Sequence, residues 1–134
     1  MTMTTAEATG ALLQHYGAGE LDALMDLFAD TVDLDVPGAP HVPWTGARSD
    51  KAGARAFFDL LINGGLTEPE AFDVHHIVVD GDQAVVLGRS RFRVTSTGRS
   101  FDNPFAIHVT VQDGKVVRYH MHEESYAIAE AFDR

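Results

Sequence analysis

The stretch Tyr119-His120-Met121-His122-Glu123-Glu124 concentrates the side chains that do chemistry in proteins. Two imidazoles two residues apart, with carboxylates following at once, suit two tasks. They could ligate a metal, or they could trade protons near neutral pH, since imidazole titrates at about 6.5. The same spacing also describes the polar side of an ordinary strand, because successive side chains of a strand point to opposite faces. Which reading holds depends on the elements that position His120 and His122.

Those elements read as follows. Residues 6–16 suit a first helix. The segment 19–30 restarts with Leu21, Leu24, Met25, Leu27 and Phe28 as an apolar stripe at helical spacing. In 31–37, Val32, Leu34 and Val36 alternate with Asp33 and Asp35, which predicts a short strand stopped by Pro37. Residues 38–46 form a proline-rich loop. Residues 49–64 predict a third helix, capped by Ser49 or Asp50, with Phe57, Phe58, Leu61 and Ile62 facing inward and Gly64 at its end. The period then changes from 3.6 to 2. Two hairpins are predicted, one around Asp80-Gly81 and one around Asp113-Gly114, since Asp-Gly between alternating segments is a strong hairpin signal. A closing helix follows, with Glu124 or Ser125 near its start. Helices followed by an antiparallel meander make an α+β fold.

Composition narrows the function. The chain has 134 residues and a formal charge of −10, from 20 acids against 10 bases. That balance argues against nucleic acid, whose affinity rests on Lys and Arg contacts to phosphate. Arg89, Arg91, Arg93, Arg99 and Arg118 fall in the second half, among the strands, where pairing with neighbouring acids is the simpler reading. No apolar run approaches the roughly 20 residues of a membrane span, and no basic segment precedes an apolar one at the start. With no cysteine, disulfides and thiolate metal sites are excluded and a cytoplasmic home is the simplest expectation. One domain over residues 1–134 is expected, with residues 1–5 disordered.

The order of segments resembles the nuclear transport factor 2-like superfamily, and within it the SnoaL-like and limonene epoxide hydrolase-like branch. The segments that carry the likeness are GELDALMDLFAD, VPGAPHVPWTG followed by ARAFFDLL, TGRSF, and VQDGKVVRYHMHEESYAIAEAF. The resemblance implies a curved antiparallel sheet wrapped around three N-terminal helices, a cone with an internal pocket, no cofactor, and a homodimer through the outer sheet face. It also implies a small hydrophobic ligand, in some relatives a polyketide or other secondary metabolite. The segment YGAGELDAL aligns without gaps on the scytalone dehydratase segment whose leading tyrosine polarises the substrate carbonyl, which implies that Tyr16 lies in the pocket. Other relatives' sets are missing. The ketosteroid isomerase tyrosine, base and second acid would fall on Leu12, Val36 and near Ile107, and the epoxide hydrolase Asp-Arg-Asp set on Ser90, Gly88 and Met121.

Register then assigns the faces. A three-residue loop at 112–114 pairs Val109 with Val117, Ile107 with Tyr119 and Phe105 with Met121, giving one coherent apolar face. His108, Arg118, His120 and His122 then point away from the cavity, so structural or interface use is favoured over metal. The same argument around Asp80-Gly81 pairs Val74 with Gly88 and His76 with Val86, turning His76 inward. The expected catalytic set is Tyr16, Asp35, His76 and Tyr119: His76 or Asp35 as base, the two tyrosines as donors to a developing oxyanion. Asp35 enters because, aligned on Pro37, it takes the place of a water-binding asparagine in the epoxide hydrolase loop. The expected ligand-binding wall is Trp44, Phe58, Leu61, Ser90, Phe92, Phe105, Ile107 and Met121, with no metal. Two functions stay open. One is an acid–base enzyme of cyclase, isomerase, dehydratase or epoxide hydrolase type. The other is a non-catalytic ligand-binding or accessory protein.

Overall fold

The computed structural model describes residues 2–133. Its first helix, α1 (Thr5–Gly17), begins with a reciprocal cap. The Thr4 hydroxyl accepts from the Glu7 N–H, and the Glu7 carboxylate accepts from the Thr4 N–H at 2.9 Å. The Thr5 hydroxyl also donates to the Gly81 carbonyl at 2.9 Å. Within the segment 1–5 expected to be disordered, Thr4 and Thr5 make these hydrogen bonds, and Met1 lies outside the described residues.

The next apolar stripe divides. α2 (Leu21–Met25) is one short turn of helix, and Phe28 opens strand β1 (Phe28–Val36). Phe28 is drawn out of the helical pattern because it pairs with Val116 across the sheet, a tertiary contact that outweighs local period. β2 (Gly46–Asp50) pairs with β1 and was not visible as an alternating segment. α3 (Lys51–Asn63) follows, with the Asp50 carboxylate accepting from the Gly53 N–H at 2.7 Å and Gly64 at its end.

β3 (Thr67–Asp80), β4 (Gln83–Val94), β5 (Ser100–Gln112) and β6 (Lys115–His122) form the meander, and α4 (Ser125–Phe132) closes the described chain. The sheet order is β2-β1-β6-β5-β4-β3. It is curved and unclosed, and the helices lie on its inner face. Neighbours are antiparallel except β1 and β6, which run parallel.

Both hairpins turn on two residues. Asp113 and Gly114 have φ of 51° and 75°, the two left-handed positions of a type I′ turn. A two-residue turn alone would mix the faces of β5 and β6. The register shift after Val111↔Val116 restores them, so that Val109 lies opposite Tyr119 and Ile107 opposite Met121. The expected faces therefore hold, while the expected partners are displaced by two residues. Around Gly81 the outcome differs. Asp80 pairs with Gln83, Ile77 with Val86 and His76 with Leu87, and the register returns to Val74↔Gly88 only after a shift at His75.

The core gathers Leu12, Leu24, Phe28, Leu34, Phe57 and Phe58 beneath the inner residues of β4, β5 and β6. Gly88 is required there. A Cβ at this position would sit 2.6 Å from the Phe105 ring and collide with the Asp73 carbonyl.

Candidate functional site

Alternation along two strands builds the site. On β6, Tyr119 and Met121 point inward, and Glu123, just past the strand end, keeps the same side. On β5, Phe101, Asn103 and Ile107 point inward, with Ser90 of β4 opposite Asn103. Leu12, Leu13 and Tyr16 of α1 and Leu61 of α3 close the space from the helical side, and Trp44 closes it from the loop before β2. The cavity measures about 50 Å³, is partly open and is mostly apolar.

Its polar end is a connected set. Trp44 Nε1 donates to Glu123 Oε2 at 3.0 Å. The Glu124 N–H donates to Asn103 Oδ1 at 2.8 Å, which fixes the orientation of that amide. Asn103 Nδ2 is thereby turned toward Ser90 Oγ, 3.3 Å away. Burial pushes the Glu123 carboxyl up to about 7, with the Trp44 and Asn103 side chains pulling the other way. Burial, and secondarily the charge of Glu123, raises the Tyr16 hydroxyl to about 12. Burial likewise lifts Tyr119 well above its ordinary value, with smaller contributions from Tyr16 and Glu123. Both phenols therefore stay protonated as donors, beside a carboxyl that changes charge near neutral pH. Tyr119 is locked by Phe58, Phe57 and Phe28, whose rings lie 5.2, 6.2 and 6.4 Å away. Its hydroxyl meets Met121 Sδ at 3.8 Å, a weak acceptor that a ligand oxygen would displace.

The sequence-predicted residues separate cleanly. Tyr16, Tyr119, Trp44, Leu61, Ser90, Phe92, Ile107 and Met121 border the cavity. Phe58 lies beneath it, wholly buried against Tyr16 and Tyr119. Phe105 is turned aside, stacked on Phe72 with centroids 5.4 Å apart and seated against Gly88. His76 is exposed on the outer face: the tight turn at Gly81-Asp82 puts Ile77, not His76, opposite inward-facing Val86. Asp35 is also on the outer side, since Val32, Leu34 and Val36 take the buried positions of β1. Neither lines this cavity. The residues that sequence reasoning missed are Glu123 and Asn103. Extending the period-2 count from Tyr119 and Met121 reaches Glu123, and counting back from Ile107 reaches Asn103, whose position before Pro104 had a sufficient explanation in turn chemistry.

His120 and His122 face outward as the register requires. His120 pairs across the strands with His108, and its Nε2 lies 2.9 Å from Asp33 Oδ1, close enough for an ion pair although off the line of a hydrogen bond. Among the described residues no group of three or more His, Asp or Glu side chains is arranged to hold a metal ion. Four of the five arginines expected to pair with acids do so: Arg89 with Asp102, Arg91 with Glu70 and Asp102, Arg93 with Glu68, and Arg118 with Asp33. Arg99 instead donates to the Glu130 carbonyl at 3.1 Å. Among the described residues no helix is long and apolar enough to cross a membrane.

Comparison with known proteins agrees with this geometry. No curated protein matches the chain in sequence. Many solved structures share its shape. An NTF2-like protein from Burkholderia xenovorans LB400 superposes with a TM-score of 0.87 at 21% identity, covering 99% of this chain and 100% of that one. A candidate isomerase from Rhodopseudomonas palustris gives 0.79 at 18% identity, covering 98% and 97%. A candidate isomerase from Bacillus subtilis gives 0.79 at 16% identity, covering 97% and 96%. At these identities the likeness is one of fold. The sequence model described as a SnoaL-like domain matches residues 10–119, most of the chain. The chain belongs to the SnoaL-like domain family, in the nuclear transport factor 2-like superfamily.

Proposed function

We propose that this protein is a cofactor-independent acid–base enzyme that relocates a proton on a small hydrophobic carbonyl compound, in a reaction of the isomerase or cyclase type. The observation that carries the reading is Glu123, a carboxyl set in an apolar cavity and held by an indole and an amide in place of a cation. As the carboxylate it takes a proton from the carbon next to the substrate carbonyl. The Tyr16 and Tyr119 hydroxyls donate to the oxygen on which negative charge develops. With a β,γ-unsaturated carbonyl compound the resulting dienolate recovers the proton from Glu123 at its γ-carbon, which moves the double bond. With a second carbonyl in the molecule the enolate carbon attacks that carbonyl carbon, the C=O π pair becomes an alkoxide, and the alkoxide takes the proton back from Glu123. Two similarly folded proteins described as candidate isomerases support this class of chemistry. The outer face, with half-buried His108 and His120, is proposed as the homodimer contact the family resemblance implies, and the cysteine-free chain suits a cytoplasmic setting.

A non-catalytic binding role draws on one feature: Trp44, Glu123, Asn103 and Ser90 partly satisfy one another without a ligand. Hydrogen–deuterium exchange at the α-carbon of simple ketones, followed by NMR, separates the two. Exchange by the protein that is lost in Glu123→Gln establishes the enzyme. Ligand binding with no exchange above the Glu123→Gln background establishes the binder.

A further inference from the structure

The cavity at Glu123, at about 50 Å³, holds only a few water-sized groups, since one water needs at least about 10–15 Å³ on this scale. A whole substrate does not fit there. A second hollow of about 400 Å³ adjoins it, at the end of α1, the end of α3 and the start of β3. The two share Tyr16, Leu61, Thr67, Phe72 and Phe92, so they are neighbouring chambers with a common wall. The Tyr16 and Phe72 rings, with centroids 6.3 Å apart, stand at that boundary. Gly19, Ile62 and Pro69 belong to the outer chamber alone, and no charged side chain lines it.

We infer that the outer chamber is the binding site for the apolar tail of the substrate, whose carbonyl end alone enters the inner cavity. The inference rests on the proposed function for which end goes inward, and it names the substrate class: an uncharged, elongated molecule with a terminal carbonyl group and a hydrocarbon tail of several carbons. Polar or branched heads are excluded by the narrow inner space. The tail is selected by apolar surface, which has no direction and so scales with length.

The probe is a series of straight-chain methyl ketones from five to eleven carbons, with binding read by the fluorescence of Trp44, the sole tryptophan, which borders the inner cavity. Affinity is expected to rise by up to about fourfold per added methylene and then level off when the chamber is full. Ile62→Asp, in a half-buried position, and Pro69→Asp, in an exposed one, should each abolish that rise while leaving the five-carbon ketone bound as before. Affinity independent of chain length overturns the inference. So does a loss of the short and long ketones alike in both variants. The α-carbon exchange measurement is independent of this one: a length-dependent affinity without exchange keeps the tail chamber and removes the enzyme reading, whereas exchange without length dependence does the reverse.

Discussion

The two faces of the sheet treat their carboxylates in opposite ways. On the outer face Asp33, Glu68, Glu70 and Asp102 each lie within 3.5 Å of an arginine, in contact with water. Asp33 is held below the usual carboxylate range, chiefly by His120 beside it and then by Arg118. On the inner side Glu123 has a neutral donor in Trp44, the Asn103 amide nearby also favours its charged form, and burial outweighs both and lifts it to about 7. A cation fixes a carboxylate in its charged form, whereas neutral donors in an apolar setting leave it able to change charge. A carboxylate that stays ionised and one that can change charge therefore need different partners for the same functional group.

The largest effect that should separate the faces is on turnover. Glu123→Gln should lower kcat for proton exchange by about a thousandfold, within the span typical of a general base. Asp102→Asn should leave it within about twofold, as surface pairs contribute little. Steady-state rates for both variants check this, and comparable losses in both would dissolve the distinction.

Stability gives the next effect, and its sign is unusual for a carboxyl. The folded Glu123 holds its proton up to about 7, against an ordinary value of 4.5. Between those values the native state binds more protons than the unfolded one, so unfolding free energy falls as pH rises through the window. The fall amounts to about 3 kcal/mol at most. Glu123→Gln should remove this slope and be more stable than the wild type at pH 8, as read by denaturant unfolding at pH 5 and pH 8.

A smaller effect concerns the indole. Trp44→Phe keeps the apolar wall but removes a donor to the charged form of Glu123. The pH–rate profile, which should rise through about pH 7 in the wild type, should move to higher pH, with roughly a tenfold loss of rate at neutral pH. An unchanged midpoint would mean that the hydrogen bond does not set the carboxyl's charge. The smallest effect belongs to the outer face. Arg91→Ala should cost less than about 1 kcal/mol, and the difference should fade at high salt.

The inner and outer residues were legible in the sequence wherever one strand could be anchored by its neighbours. In β5 and β6 the apolar residues alternate so consistently that a wrong turn length still gave the right faces, because a displacement of two residues preserves them. In β3 the residues His75 to Val79 carry weaker alternation, and the one-residue difference between turns was enough to place His76 on the wrong side. Asp35 was drawn inward by an alignment on Pro37 against the evidence of its own strand. Glu123 was in view from the start, as a companion to the histidines. Its inward position follows from the same alternation that turned those histidines out, continued past the last residue of the strand. What sequence could not supply was the Trp44 loop folding across to meet it, a contact between residues 79 positions apart.

The parallel seam between β1 and β6 has a bearing on how the molecule forms. β3 to β6 are joined by consecutive antiparallel pairings, three strand pairs that can assemble locally as the chain is made. β1 must wait, because Leu34 lies opposite Tyr119 and cannot be paired until that distant segment exists. Pairings of such sequence separation are slow to close. Tyr119 is both a pairing partner in this seam and a residue that borders the cavity, so closing the seam also fixes the backbone of one cavity residue. A newly made chain would have its meander before β1 could dock along β6.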